Sequence, residues 1–173
     1  LYKPSEAGLG RASARAQEQS TTPPDHVGFV ECHGGATELG DLTEINALRT
    51  GYQTQQRQDA LRIGSVKSNV GHTQGTAGVA GIIKAALVLR HDQVAPTRSL
   101  EQPHPALGPD LTAPNRPEPL GQPAVGVSSL GLAGIDYHAI LSRAKSDAVT
   151  STPTLLRFAA QDAQELQARL LNA

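Results

Sequence analysis

Two short apolar runs, each opening into a glycine-rich loop that carries a histidine, constrain this chain more than any other feature. His26-Val27-Gly28-Phe29-Val30-Glu31-Cys32 leads into His33-Gly34-Gly35-Ala36-Thr37-Glu38-Leu39-Gly40-Asp41. Leu61 to Val66 leads through Lys67-Ser68-Asn69-Val70-Gly71 to His72. Short apolar runs bounded by breakers read as buried strands. A loop that follows such a strand delivers its polar side chain to one end of a sheet. Two imidazoles and a lysine gathered there suit a site that handles a carbonyl or a carboxylate. A neutral imidazole donates an N–H to a developing oxyanion or acts as a general base, and a cation at Lys67 tunes its protonation.

Blander readings exist for each residue. A single loop histidine is commonly structural, and Lys67 alone would be a solvated charge. A zinc site drawn from His33, His72 and either Cys32 or His138 lacks a close ligand pair, so no metal is expected. Cys32 is not expected to be a nucleophile, because neighbouring strand residues point to opposite faces and a site-facing His33 turns Cys32 to the core.

Composition narrows the function classes. Hydrophobic residues make up 38% of the chain and charged residues 18%, which is globular. Aromatics are 3% and the net charge is −1, so neither base stacking nor an electrostatic footprint points to nucleic acid or an anionic membrane. The one cysteine excludes an internal disulfide framework and fits a cytoplasmic setting. No apolar run approaches the roughly 20 residues that span a bilayer.

Along the chain, residues 7–19 suit a surface helix. Asp41 or Thr43 can cap a helix to about Thr50, with Gly51 in the left-handed position that ends it. The clearest helix is expected from about Thr73 to Arg90, with Val79, Ile82, Ile83, Ala86 and Leu87 on one apolar face. Its small first turns, from Gly75 to Gly81, suit a central helix closely approached by another backbone. Eight prolines between 95 and 123 indicate a surface excursion rather than a core element. Val125 to Ser129 and Tyr137 to Leu141 read as strands around a glycine-rich turn. That turn either offers backbone N–H groups to an oxyanion or is a plain hairpin. Residues 145–153 read as a linker and 154–172 as a new helical element.

In order along the chain, these segments resemble the C-terminal half of a β-ketoacyl synthase of the modular polyketide synthase type. Val30-Glu31-Cys32-His33-Gly34-Gly35-Ala36-Thr37-Glu38-Leu39-Gly40-Asp41 is similar to V-E-A-H-G-T-G-T-x-L-G-D. Gly64 through Lys84 is similar to G-S-V-K-S-N-I-G-H-T-x-x-A-x-G-V-A-G-x-I-K, and Gly126 through His138 to G-V-S-S-F-G-x-S-G-T-N-A-H. The resemblance implies an α/β chain forming the C-terminal half of a thiolase-like αβαβα fold over residues 1–144. Residues 145–173 would begin the linker toward an acyltransferase.

It also implies an acyltransferase that carries out decarboxylative Claisen condensation. No cofactor is bound; acyl and malonyl-type substrates ride on the 4′-phosphopantetheine arm of acyl carrier protein. His33 and His72 would bind the extender carbonyl, and Lys67 would orient and polarise them. Thr37 and Gly35 would line the pantetheine path. Leu130 and Gly131 would sit beside the nucleophile. The implied partners are acyl carrier protein, an N-terminal half that supplies the nucleophilic Cys, and a second copy in a homodimer. The apolar helix face implies stability only beside that N-terminal half. Gly35, Ala36, Leu130 and Asp136-Tyr137 depart from the family pattern. A synthase that only transfers acyl chains, and a non-catalytic scaffold, therefore stand as alternatives.

Overall fold

The computed structural model describes residues 5–131 and 134–143, together with Asp162 and Gln164. The chain divides into two units, Leu1–Arg143 and Ala144–Ala173. The first unit holds the sheet and the helices packed on it. Apart from Asp162 and Gln164, the linker and helix expected after residue 144 lie outside the described residues.

Helix α1 spans Glu6–Ser20, capped by the Ser5 hydroxyl, which accepts the Gly8 N–H at 3.1 Å. Strand β1, Val27–Glu31, is buried along its whole length. Helix α2 spans Glu38–Gly51, β2 spans Leu61–Gly64, the short helix α3 spans Lys67–Val70 and α4 spans Ala77–His91. Then come β3 Gln93–Val94, β4 Leu111–Thr112, β5 Glu118–Pro119, β6 Ala124–Leu130 and β7 Asp136–Ser142.

The main sheet has the order β4-β2-β1-β6-β7. The first four strands run parallel to one another, and β7 returns antiparallel to β6. Glu31 pairs with Gly64 on one side and Val127 on the other, so the carboxyl ends of β1, β2 and β6 share one edge. That edge is where an open parallel sheet presents its loops to ligands.

Alternation along the strands divides the core. Val30, Cys32, Leu61, Ile63 and Ala124 pack with Ile45, Leu48 and Tyr52 of the α2 layer. Phe29, Val125 and Val127 pack with Ala85, Val88 and Leu89 of α4. The described residues thus form three layers, α1 and α2, the sheet, and α4, as the thiolase-like expectation requires.

Several local expectations give way. Helix α2 starts at Glu38, ahead of Asp41, and is capped by Thr37, whose hydroxyl accepts the Gly40 N–H at 3.2 Å. Gly51 remains helical, and Gln53 takes the left-handed turn with φ 49°. Gly51 is small for a different reason. A Cβ there would lie 1.9 Å from the Ser13 hydroxyl, where α1 crosses α2 and Gln17 donates to the Gly51 carbonyl at 2.9 Å.

The proline-rich segment is not purely a surface excursion. Leu111 is fully buried, and β4 extends the main sheet. Arg49 reaches Asp110 at 3.0 Å and Thr54 donates to the same carboxylate at 2.6 Å, which holds the segment in place.

Helix α4 presents its small residues to another backbone, as expected. The small residues Ala77, Gly81 and Ala85 lie against the sheet. Val79, Ile82, Ile83 and Leu87 are 44–57% exposed. The large apolar stripe faces outward because the glycine and alanine stripe is what lets the helix descend onto β1 and β6: a Cβ on Gly81 would already be 3.2 Å from both Glu31 and Val127.

Gly51→Ala is expected to destabilise the α1–α2 crossing by about 1–3 kcal/mol through overpacking. Gly75→Ala, where an added Cβ meets nothing within 4 Å, stays near wild type. Thermal melts of the intact synthase carrying each change check the difference.

Candidate active site

The parallel strands bring His33 and His72 together at the shared edge. Their rings sit 5.4 Å apart, centre to centre, at an interplanar angle of 73°. The His33 Nδ1 accepts the Leu130 N–H at 3.3 Å, and the His72 Nδ1 accepts the Gln74 N–H at 3.0 Å. An acceptor at Nδ1 places the proton of a neutral ring on Nε2. Both histidines are therefore set as Nε2–H donors. Burial first, then the neighbouring Lys67 and His72, pull the His33 pKa down from 6.5 to about 4. His33 is thus neutral through the physiological range. Lys67 begins α3, with its N–H donated to the Ser65 hydroxyl at 3.3 Å, and acts electrostatically on His33, Glu44 and Glu31.

A buried acid of α2 shapes the His33 loop. The buried Glu44 carboxylate accepts the N–H groups of His33 and Gly34 at 2.7 and 2.9 Å. Asp41, one turn earlier on the same helix, has its carboxyl pKa raised by burial. The Glu44 contacts hold two consecutive amides. The resulting turn puts Gly34 at φ 51° and Ala36 at φ 57°. Glycine fits at 34, where a Cβ would come within 2.8 Å of Ser65. The alanine at 36 costs about 1 kcal/mol in the left-handed region. Burial raises Glu44 from 4.5 to about 7 against the pull of the two amides.

The remaining expected site residues lie along this edge. Thr37 is exposed and its hydroxyl is used as the α2 cap. Gly35 is exposed, and a Cβ there would rest 3.5 Å from the His33 ring. Leu130 contributes its N–H to His33, which gives the strand end a definite task. The Gly131 N–H goes to the Ile135 carbonyl at 2.9 Å, a hairpin closure.

Two alternative assignments fail on geometry. Cys32 is buried in the α2-side core with its thiol pKa driven well up by burial. His138 is half-buried on that same side, with Nε2 2.6 Å from the Tyr52 hydroxyl and Nδ1 3.0 Å from that of Ser128. Among the described residues no three His, Cys, Asp or Glu side chains gather as metal ligands.

Sequence reasoning misses Glu44 and gives Asp41 only a capping role. The available signal is a pair of carboxylates three residues apart, just past the histidine loop, with Glu44 directly before the apolar Ile45.

Residues 1–101 match the profile of the family described as Beta-ketoacyl synthase, C-terminal domain. The chain belongs to that family. Among its relatives, erythronolide synthase EryA3 of Saccharopolyspora erythraea is 38% identical over 182 residues, covering 98% of this chain and 6% of that protein. The polyketide synthase GfsE of Streptomyces halstedii is 40% identical over 162 residues, covering 89% of this chain and 4% of that one. The chain thus spans a small part of the length of these synthases. The crystal structure of ketosynthase twelve from the bacillaene polyketide synthase in Bacillus amyloliquefaciens superimposes with a TM-score of 0.77 at 32% identity, over 83% of this chain and 27% of that chain. The family's C-terminal domain therefore accounts for the three layers and for the shared edge. No helix among the described residues is long and apolar enough to cross a membrane.

Because the folded pKa of Glu44 lies above its unfolded value, its contribution to stability is complete below about pH 4.5 and is lost as pH rises to about 7. Wild type is expected to lose stability relative to Glu44→Gln across that interval. Melting temperatures of the two intact proteins between those pH values check it.

Proposed function

We propose that this chain supplies the extender-activating half of a polyketide ketosynthase site, His33 and His72 being the catalytic pair. The observation that carries the reading is the matched pair of Nε2–H donors at one sheet edge, both fixed by backbone amides on Nδ1. Two such donors suit the carbonyl oxygen of a malonyl-type thioester. When the bond between its carboxylate and Cα breaks, carbon dioxide leaves and the electron pair moves into an enolate. The two N–H groups stabilise the negative oxygen, the kind of preorganised electrostatic help that dominates many active sites. A neutral His33 is the right state for this, since it donates without first giving up a proton. The Lys67 charge adds to the field at that oxygen and opposes protonation of His33.

The enolate carbon then attacks an acyl thioester on a cysteine outside these residues. The new carbon–carbon bond forms, the carbon–sulfur bond breaks and the thiolate is released. Cys32 cannot serve in that role from its buried position. Substrates would arrive on the phosphopantetheine arm of acyl carrier protein, past Gly35 and Thr37. Leu130 and Gly131 would border the cysteine. The apolar outer face of α4 supports burial against an N-terminal ketosynthase half, in a cytoplasmic homodimer. Presence of His33 in its held geometry favours condensation over acyl transfer alone and over a scaffold.

In the intact synthase, His72→Ala is expected to slow release of carbon dioxide from malonyl-loaded carrier protein by about 10²–10³-fold, the usual loss for one oxyanion donor. Intact-protein mass spectrometry of the same mixtures separates condensed product from simple acyl transfer. Undiminished carbon dioxide release would refute the assignment.

A further inference from the structure

A second buried carboxylate lies beneath the site, and the proposed chemistry leaves it unused. Glu31 ends β1, two residues before His33, and is 1% exposed. One of its oxygens accepts the Val66 N–H at 2.5 Å. The other meets the Lys84 ammonium of α4 at 2.7 Å. Lys84 is itself largely buried, lying 5.0 Å from the centre of the Phe29 ring. Gly81 leaves the space for this approach, since a Cβ there would sit 3.2 Å from the Glu31 side chain.

The connections of this pair are specific. β1 carries His33. Val66 immediately precedes Lys67 and has no side-chain cap of its own. Helix α4 follows the His72 loop. One carboxylate therefore ties together the three elements that present His33, Lys67 and His72. A buried ion pair is weak as a source of stability, because the cost of taking both charges from water offsets most of their attraction. Its geometry matters more here: a carboxylate shared between an ammonium and a backbone amide has little freedom left.

We propose that the Glu31–Lys84 pair is a positioning device for the Lys67–His72 segment, with Glu31 fixing the start of α3 and Lys84 holding Glu31 to that task. The proposal rests on the ketosynthase reading for its catalytic consequence but not for its structural one. Lys84→Met leaves the carboxylate unpaired beside Lys67 and is expected to lower activity, whereas Lys84→Arg retains it. Glu31→Gln with Lys84→Met removes both charges and keeps an acceptor for Val66. Glu31→Leu with Lys84→Met removes the charges and the acceptor together.

The test compares the two double variants in the intact synthase. It measures kcat and KM for decarboxylation of malonyl-loaded carrier protein, together with amide hydrogen exchange of peptides spanning 65–72. The leucine variant is expected to lose about 10- to 100-fold in kcat relative to the glutamine variant, the scale of outer-shell and misplacement effects. Its KM should stay within about twofold, because the donors act on the transition state, and exchange should rise selectively in 65–72. Equal kcat values, or exchange that rises throughout the protein in step with melting temperature, would overturn the proposal. If the double variants fail to fold, Lys84→Arg against Lys84→Met decides by the same two readouts. A wild type that releases no carbon dioxide would remove the ketosynthase reading, and the exchange comparison alone would then decide the anchoring.

Discussion

Glu44 sits in the core with its two oxygens turned to the amides of His33 and Gly34, and the shape of the histidine-bearing edge follows from that contact. Charge-assisted hydrogen bonds to a buried carboxylate are worth about 1.5–3 kcal/mol each, and they compete with a desolvation penalty of similar size. The balance leaves a group of little net stability and strong geometric demand. The chain must turn where those amides point, so Gly34 takes a left-handed conformation and Ala36 tolerates one. His33 then leaves the strand at an angle that lets the Leu130 amide reach its Nδ1. Glu31 performs a comparable task for the neighbouring loop through Val66. Two buried acids thus convert two flexible glycine-rich segments into a fixed pair of donors.

The sheet explains why the donors meet. β1, β2 and β6 are parallel, so loops far apart in sequence emerge at one edge. Small residues on α4 let that helix close over the sheet and bring Lys84 to Glu31. The outward stripe from Val79 to Leu87 follows from this arrangement, since the small face is used on the sheet. An exposed run of that size fits a surface built to be covered.

Much of this is legible from residue patterns. The strand runs, the histidine loops and the family blocks locate the layers and the edge where His33 and His72 meet, because breakers and apolar runs report local structure directly. The failures have physical causes. Periodicity marks the α4 stripe as apolar without saying what covers it. Here the close-packed face is made of glycine and alanine. Leu111 is hidden among prolines, although the Arg49–Asp110 clip makes its strand part of the sheet. Glu44 escapes notice because a charged residue in a helix reads as solvated unless its partners are known, and those partners are backbone amides that carry no sequence signal.

The central claim is that His33 works as a neutral Nε2–H donor held by an amide on Nδ1. The most direct measurement is nitrogen-15 NMR of histidine-labelled intact synthase, with His33 assigned by its loss in His33→Ala. The account predicts an unprotonated Nδ1 and a protonated Nε2 at neutral pH, with no conversion to imidazolium until the pH approaches about 4. An Nδ1–H tautomer, or an imidazolium already present at neutral pH, would contradict it.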